Sequence, residues 1–384
     1  MASMHNGNIA IIGAAETDSV TVQPDMSQLE LHAQAAQRAL SDAGLKPSDI
    51  DGIATTAIPF EVAHHLGIKA RWLDGTMVGG CSYMLHVRHA AAAIASGAAD
   101  VVLVTHGESG RSHNGVGPYG ASPQSLSGQF EAPFGATTPY SIFTVPAMAY
   151  MKKFGLDRSD LAEVVVAQRE YAVDNPRAMR RKPVTVEEIL ADKTVAYPFN
   201  KDMICVVTDA GGALVVTSAE RAKDMPNADK AVYLLGSGES HESTLMSQME
   251  DLTSFEGFRR ASLEAFATAG VTHDEIDHLM CYDAFAHLPL YMMEDLGFVK
   301  PGEAAAFHKD GQTRPGGRLP TNTSGGGLSY THSGMYGMFA ILEAVRQLRG
   351  EAFAQQPNIK RSFVQGVGFF FGAAGSLVLS NEKP

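Results

Sequence analysis

The chain has 384 residues, 45% of them hydrophobic and 19% charged, which is enough apolar material for two ordinary domains or one large two-part domain and excludes a disordered chain. With 30 basic against 42 acidic residues the formal net charge is −12, and no Lys/Arg block stands out, so a nucleic-acid surface is excluded. Three widely separated cysteines (Cys81, Cys205, Cys281) without a C-x-x-C exclude a disulfide scaffold and fit a reducing, cytoplasmic setting.

From the N-terminus, "MASMHNGN" runs straight into "IAIIGAAET", a polar lead-in to a buried strand rather than the charged and apolar regions of a leader. No apolar run approaches the roughly 18 residues that would span a bilayer. Ser27 followed by Glu30 is a capping box that opens a helix, and Thr185 with Glu188 repeats the pattern. The runs "VVLVTHG", "GALVVTS", "AVYLLGSG" and "GSLVLS" are short and continuously apolar, as buried strands are, and alanine-rich amphipathic helices separate them. This alternation predicts an α/β fold with helices packed on mixed or parallel sheets.

Three stretches recur in the same order. "LSDAGLKPSDID" (40–51) returns as "FATAGVTHDEID" (266–277), "GGCSY" (79–83) as "GGLSY" (326–330), each followed by a long helix, and "AGGALVVTS" (210–218) as "AAGSLVLSN" (373–381). The order implies a duplication, with halves at 1–230 and 231–384. The third pair is spaced more closely than the other two, so the first half carries an extra segment, roughly from His106 to Asn200. It opens with "NGVGPYGASPQSLSG" and continues into helices, a composition suited to a lid or a substrate-binding roof.

A duplicated α/β core with "TDAGGALVVTSAERA", "GGRLPTNTSGGGLSYTHSG" and "EAVRQLRGE" in order resembles the thiolase superfamily over nearly the whole chain. The resemblance implies a five-layered αβαβα fold with a loop-domain insertion in the first half, a homodimer, and acyl-CoA thioesters as substrates without a further cofactor. His332 in "YTHSG" falls on the histidine of the family's G-H-P loop. Tyr282 in "YDAFA" falls where the family has an amide or imidazole. Gly366 in "VQGVGFFFGAAG" takes the position of the C-terminal cysteine, and gapless alignment puts Gly80, with Cys81 one residue off, at the nucleophile. The set "YDAFA" with "LSY-x-H" is similar to the lipid-transfer-protein-like branch, the aldolases of steroid side-chain degradation, in which two tyrosines serve retro-aldol cleavage; Tyr282 and Tyr330 match them. That branch also suggests a small zinc-ribbon and OB-fold partner of the DUF35 type.

Retro-aldol cleavage needs a base, an acid and a site for an oxyanion, but no nucleophile. A tyrosine of ordinary pKa is only about one part in a thousand ionised at neutral pH, a deficit of about 4 kcal/mol, so it needs an activating neighbour. The expectation is that Tyr282 and Tyr330 exchange protons with substrate while His332 polarises the thioester or tunes Tyr330. Each residue has a plainer reading as well. His332 could be a polar turn residue, Tyr282 a half-buried strand tyrosine, Tyr330 inherited packing shared with Tyr83, and Cys81 a small residue filling a tight loop. Tyr336 reads as packing and Asp283 as support for its loop. If Cys81 is the nucleophile, the chain is instead an acyltransferase that pairs it with His332. A third reading is a non-catalytic partner within a thiolase-like complex. His64, His65, His86 and His89 have no carboxylate or cysteine at ligand spacing, and Arg259, Arg260, Arg314 and Arg318 are candidates for CoA phosphates.

Overall fold

The computed structural model describes residues 3–114 and 122–383, so that 115–121, inside the glycine-rich opening of the extra segment, lie outside the described residues. The first half runs β1 (Ile9–Glu16), α1 (Gln28–Ala43), β2 (Gly52–Thr55), α2 (Pro59–Leu66), β3 (Trp72–Asp74), α3 (Ser82–Ala95) and β4 (Val101–Ser109). Then come α4 (Leu126–Phe130), α5 (Pro139–Phe154), α6 (Arg158–Asp174), α7 (Val186–Ala191) and a ribbon of β5 (Thr194–Ala196) and β6 (Phe199–Asn200). The half closes with β7 (Asp209–Ser218) and α8 (Ala219–Ala222). The second half runs β8 (Val232–His241), α9 (Glu256–Ala269), β9 (His278–Cys281), α10 (Leu288–Asp295), α11 (Ala304–Lys309), α12 (Gly326–Ser329), α13 (Gly337–Arg349), β10 (Arg361–Gly368) and β11 (Ala373–Ser380).

The sheet order β3-β2-β4-β7-β1-β8-β11-β10-β9 is two copies of one pattern joined back to back. In each copy a parallel pair (β2 with β4, β9 with β10) is followed by two antiparallel steps, and β1 meets β8 with Ile9 opposite Leu234. Helix α1 packs on β1, β4 and β7, and α9 on β8 and β11, whereas α3 and α13 touch strands of both halves. The sheet therefore folds around a central pair of helices, with α1 and α9 outside, giving the five layers. Residues 337–348 of α13 are buried all round except Arg346, as a helix between two sheets requires.

The first repeat is reproduced closely. Both α1 and α9 end on a left-handed glycine (Gly44, Gly270), pass through a 3-10 turn (Pro47–Asp49, His273–Glu275) and enter β2 and β9. The capping boxes form as expected: the Glu30 N–H donates to Ser27 Oγ at 3.3 Å, and the Glu188 N–H to Thr185 Oγ1 at 3.2 Å. The second repeat needs correction. "GGCSY" leads directly into α3, but "GGLSY" forms the short α12, and the long helix begins only at Gly337. The true counterpart of Cys81, the N-cap of α3, is therefore Tyr336, the N-cap of α13, and the residues between α12 and α13 are an inserted loop that carries His332. No helix among the described residues is long and apolar enough to cross a membrane.

Candidate active site

The N-terminal ends of α3 and α13 meet in the middle of the molecule, so closely that a Cβ on Gly337 would lie 2.1 Å from the carbonyl oxygen of Gly80. Tyr282 arrives from the end of β9, where its N–H donates to Gln365 O at 2.9 Å. Its ring fills the space in front of Gly80: a Cβ there would stand 2.1 Å from Cε2 and 2.7 Å from the hydroxyl oxygen. The hydroxyl pairs with His332 Nε2 at 3.0 Å. Burial lowers the His332 pKa to about 4, so the ring is neutral at physiological pH. An uncharged Nε2 can accept the Tyr282 O–H, which places the two groups for a proton relay.

The loop that holds His332 is tied down by its backbone. The His332 N–H donates to Thr208 Oγ1 at 3.1 Å, and its carbonyl accepts the Thr208 N–H at 3.3 Å. Thr331 donates its hydroxyl to Val20 O at 2.8 Å. Asp283, next to Tyr282, caps α12 by accepting the N–H groups of Gly327 (2.7 Å) and Leu328 (3.3 Å). Burial lifts its pKa to about 7. The glycine run makes room for it, since a Cβ on Gly326 would fall 2.1 Å from Asp283 Oδ2. Tyr336 does pack, as its sequence reading held: its ring stacks on His332 at 6.4 Å and meets Tyr282 edge-on at 5.9 Å.

Two expected residues stand elsewhere. Tyr330 is fully buried and donates its hydroxyl to Glu16 Oε2 at 2.5 Å, in a cluster where Arg177 (3.1 Å) and Arg346 (2.8 Å) hold the same carboxylate. Burial and the Glu16 charge push its pKa up, away from phenolate. Cys81, also fully buried, packs against β10, where Cβ atoms on Gly366 and Gly368 would lie 2.8 Å from its Cβ and 2.9 Å from its Sγ. Burial pushes the thiol pKa far up, so it stays protonated. Gly366 is correspondingly a mid-strand residue beneath Cys81 and Met84. Just beyond β10 the backbone of Phe369 passes close to Gly79, where a Cβ would lie 2.3 Å from the Phe369 nitrogen.

The sequence compares with known proteins along most of its length. The thiolase C-terminal domain-like family matches residues 238–381. A steroid side-chain-cleaving aldolase of Thermomonospora curvata is 32% identical over 370 residues, covering 93% of each chain. The 17-hydroxy-3-oxo-4-pregnene-20-carboxyl-CoA lyase of Mycobacterium tuberculosis is 34% identical over 90% of this chain and 93% of its own. The chain belongs to the thiolase-like family. The solved Ltp2-ChsH2(DUF35) aldolase superposes on this thiolase-like protein with a TM-score of 0.90 at 30% identity, over 97% of this chain and 98% of the other.

Several candidate side chains of the thiolase-like protein are engaged in its own structure. Arg314 pairs with Glu163 and Glu170, Arg259 with Glu256 and Asp295, Arg260 with Glu256, and Arg318 with Asp274. His89 bridges Asp74 (2.8 Å) and Glu239 (3.0 Å), which raises its pKa to about 9. One carboxyl that the sequence reading passed over stands beside the loop: Glu108, at the end of β4, lies against Gly334. Its signal was a lone acid near the end of a strand that opens with four apolar residues, "VVLVTHGES".

Proposed function

We propose that this thiolase-like enzyme is a carbon–carbon lyase that cleaves a β-hydroxyacyl-CoA by a retro-aldol reaction. The observation that carries the reading is the Tyr282 hydroxyl, 3.0 Å from a neutral His332 Nε2 and seated in the space a nucleophile's side chain would need at Gly80. In the reaction Tyr282, its proton drawn toward His332, takes the proton of the substrate β-hydroxyl. That oxygen becomes a carbonyl, the Cα–Cβ bond breaks, and its electron pair passes into a thioester enolate. A proton returned through the same pair quenches the enolate, releasing a ketone and a shortened acyl-CoA. No step needs a covalent acyl-enzyme, which accords with a protonated, buried Cys81.

The aldolase and lyase relatives support a bulky, ring-bearing fragment at the β-carbon, released as the ketone. The Ltp2-ChsH2(DUF35) aldolase supports a DUF35-type partner. A homodimer joined along β3 is supported by the position of that strand at the sheet edge, with Leu73 41% and Met77 44% exposed. Acyltransfer through Cys81 is the second reading, favoured by an acetyl-CoA acetyltransferase of Methanothermobacter thermautotrophicus that is 30% identical over 91% of this chain.

The test is to incubate the protein, alone and with a DUF35-type partner, with a ring-bearing β-hydroxyacyl-CoA and follow products by mass spectrometry. Ketone and shortened acyl-CoA are expected, with turnover reduced about a hundredfold or more in Tyr282→Phe, the usual scale for losing a general base. Acyl mass on Cys81, with no ketone formed, would favour the second reading.

A further inference from the structure

Glu108 is a half-buried carboxyl that the reaction above leaves unused. It ends β4, opposite Ala210 of β7, and its side chain crosses to the loop between His332 and Tyr336. A Cβ on Gly334 would lie 2.2 Å from Glu108 Oε2 and 2.8 Å from Oε1, so the carboxyl fills the room that a side chain at 334 would take. Gly334 has a φ of 141°, a conformation that L side chains rarely adopt, so backbone and carboxyl together require glycine there. The Met335 N–H donates to the carboxyl, while Oε2 is shielded from solvent and, among the described residues, has no hydrogen-bond partner.

A carboxylate with one oxygen unpaired in such surroundings is costly, and a carboxylic acid much less so. The elements packed around it carry Glu30, His32, Arg38 and Asp42 on α1, Tyr83, His86, Arg88 and His89 on α3, His106 on β4, Arg111 beyond it, Asp209 on β7, and His332 and Tyr336 on the loop; the cations Arg38, Arg88 and His89 pair with Asp18, with Glu264 and Glu239, and with Asp74 and Glu239. Burial keeps the other four histidines neutral, with pKa values lowered to about 3 for His32, about 4 for His86 and His332, and well down for His106. Asp209 is ionised but spent on the N–H groups of Gln23, Arg111 and Ser112. Among the described residues no cation forms an ion pair with Glu108, and burial lifts its pKa to about 8.

We propose that Glu108 is a positioning residue of the site, which as an uncharged acid braces the segment between His332 and Tyr336 and so holds the His332 ring on Tyr282. It rests on the lyase reading for its activity readout but has a second readout that does not. The experiment compares wild type, Glu108→Ala and Glu108→Gln across neutral to alkaline pH, with thermal unfolding as the fold control. Glu108→Ala is expected to lower kcat about tenfold or more with little change in KM, the scale of a misplaced catalytic group. Glu108→Gln, a lasting mimic of the neutral acid, is expected to recover most of that loss and to lack the decline in kcat expected of wild type as pH rises through about 8. An unchanged alkaline limb in Glu108→Gln, or an unchanged kcat in Glu108→Ala, overturns the proposal. If wild type cleaves nothing, the lyase reading falls alone. The infrared band of a buried carboxylic acid, present at neutral pH and missing in Glu108→Gln, still reports the neutral state, and its absence in wild type overturns the role of Glu108.

Discussion

At residue 80 a methyl group would stand 2.1 Å from the ring of Tyr282, and that contact separates two chemistries. A side chain at 80 and the tyrosine ring compete for one volume, so a nucleophile there and this Tyr282–His332 pair are mutually exclusive. Gly80→Ala is expected to displace the ring and cost cleavage about a hundredfold while the fold survives, read from turnover beside a circular dichroism spectrum. Tyr330 makes the opposite case. Its hydroxyl belongs to the ionic cluster of Glu16, Arg177 and Arg346, so Tyr330→Phe is expected to lower stability by about 1.5–3 kcal/mol in urea unfolding, as for a lost hydrogen bond to a charged group, with turnover per folded molecule largely kept. Turnover lost without any loss of stability would return Tyr330 to the chemistry. His332 and Tyr282 could be singled out because each sits in a motif of its own, but the expected tie of His332 to Tyr330 gives way to a pairing with Tyr282. That Tyr330 answers to Glu16, 314 positions away in sequence, was not legible, since nothing local marks the pairing.

Among the elements, what could be read ahead was whatever depends on neighbours in sequence. The α1 and α9 repeats, with their glycine stops and 3-10 turns, and the capping boxes at Ser27 and Thr185 are of this kind. The match of "GGLSY" to "GGCSY" misled because one glycine pattern serves two purposes: in the first half it starts a long helix, in the second it seats the Asp283 carboxyl on the four-residue α12. Asp283→Ala removes both acceptors of that short helix and is expected to destabilise the protein by about 1–2 kcal/mol, the range for a lost cap, measured by denaturant midpoint. An unshifted midpoint would mean that α12 is held by its packing alone.

A marked sensitivity to acid is expected of the whole molecule. Burial lowers the pKa values of His32, His278, His287 and His308 to about 3, and of His86 and His332 to about 4. In the unfolded chain these groups titrate near 6.5, so below that pH the unfolded state gains protons that the fold refuses. Stability is therefore complete above about 6.5 and is lost as pH falls toward 4, by up to about 1.4 kcal/mol per pH unit for each such histidine. His89, raised to about 9, works in the opposite sense: its contribution is full below 6.5 and fades as pH rises through 9. Urea midpoints measured from pH 7 to 5 should fall steeply, and a flat profile would mean that these imidazoles can ionise in place. At the same scale, Leu73→Lys on the edge strand β3 should turn the proposed dimer into monomers by sedimentation, and an unaltered sedimentation coefficient would locate the contact elsewhere.

The meeting of α3 and α13 has an electrical consequence. Each helix ends in unpaired N–H groups equivalent to roughly half a positive charge, and the two ends converge where Gly80 and Gly337 touch. The neutral Tyr282–His332 pair thus works beside a fixed positive potential built from peptide dipoles. Such a field favours the negative oxygen of an enolate while asking no side chain to change its protonation, and it is already oriented before substrate arrives.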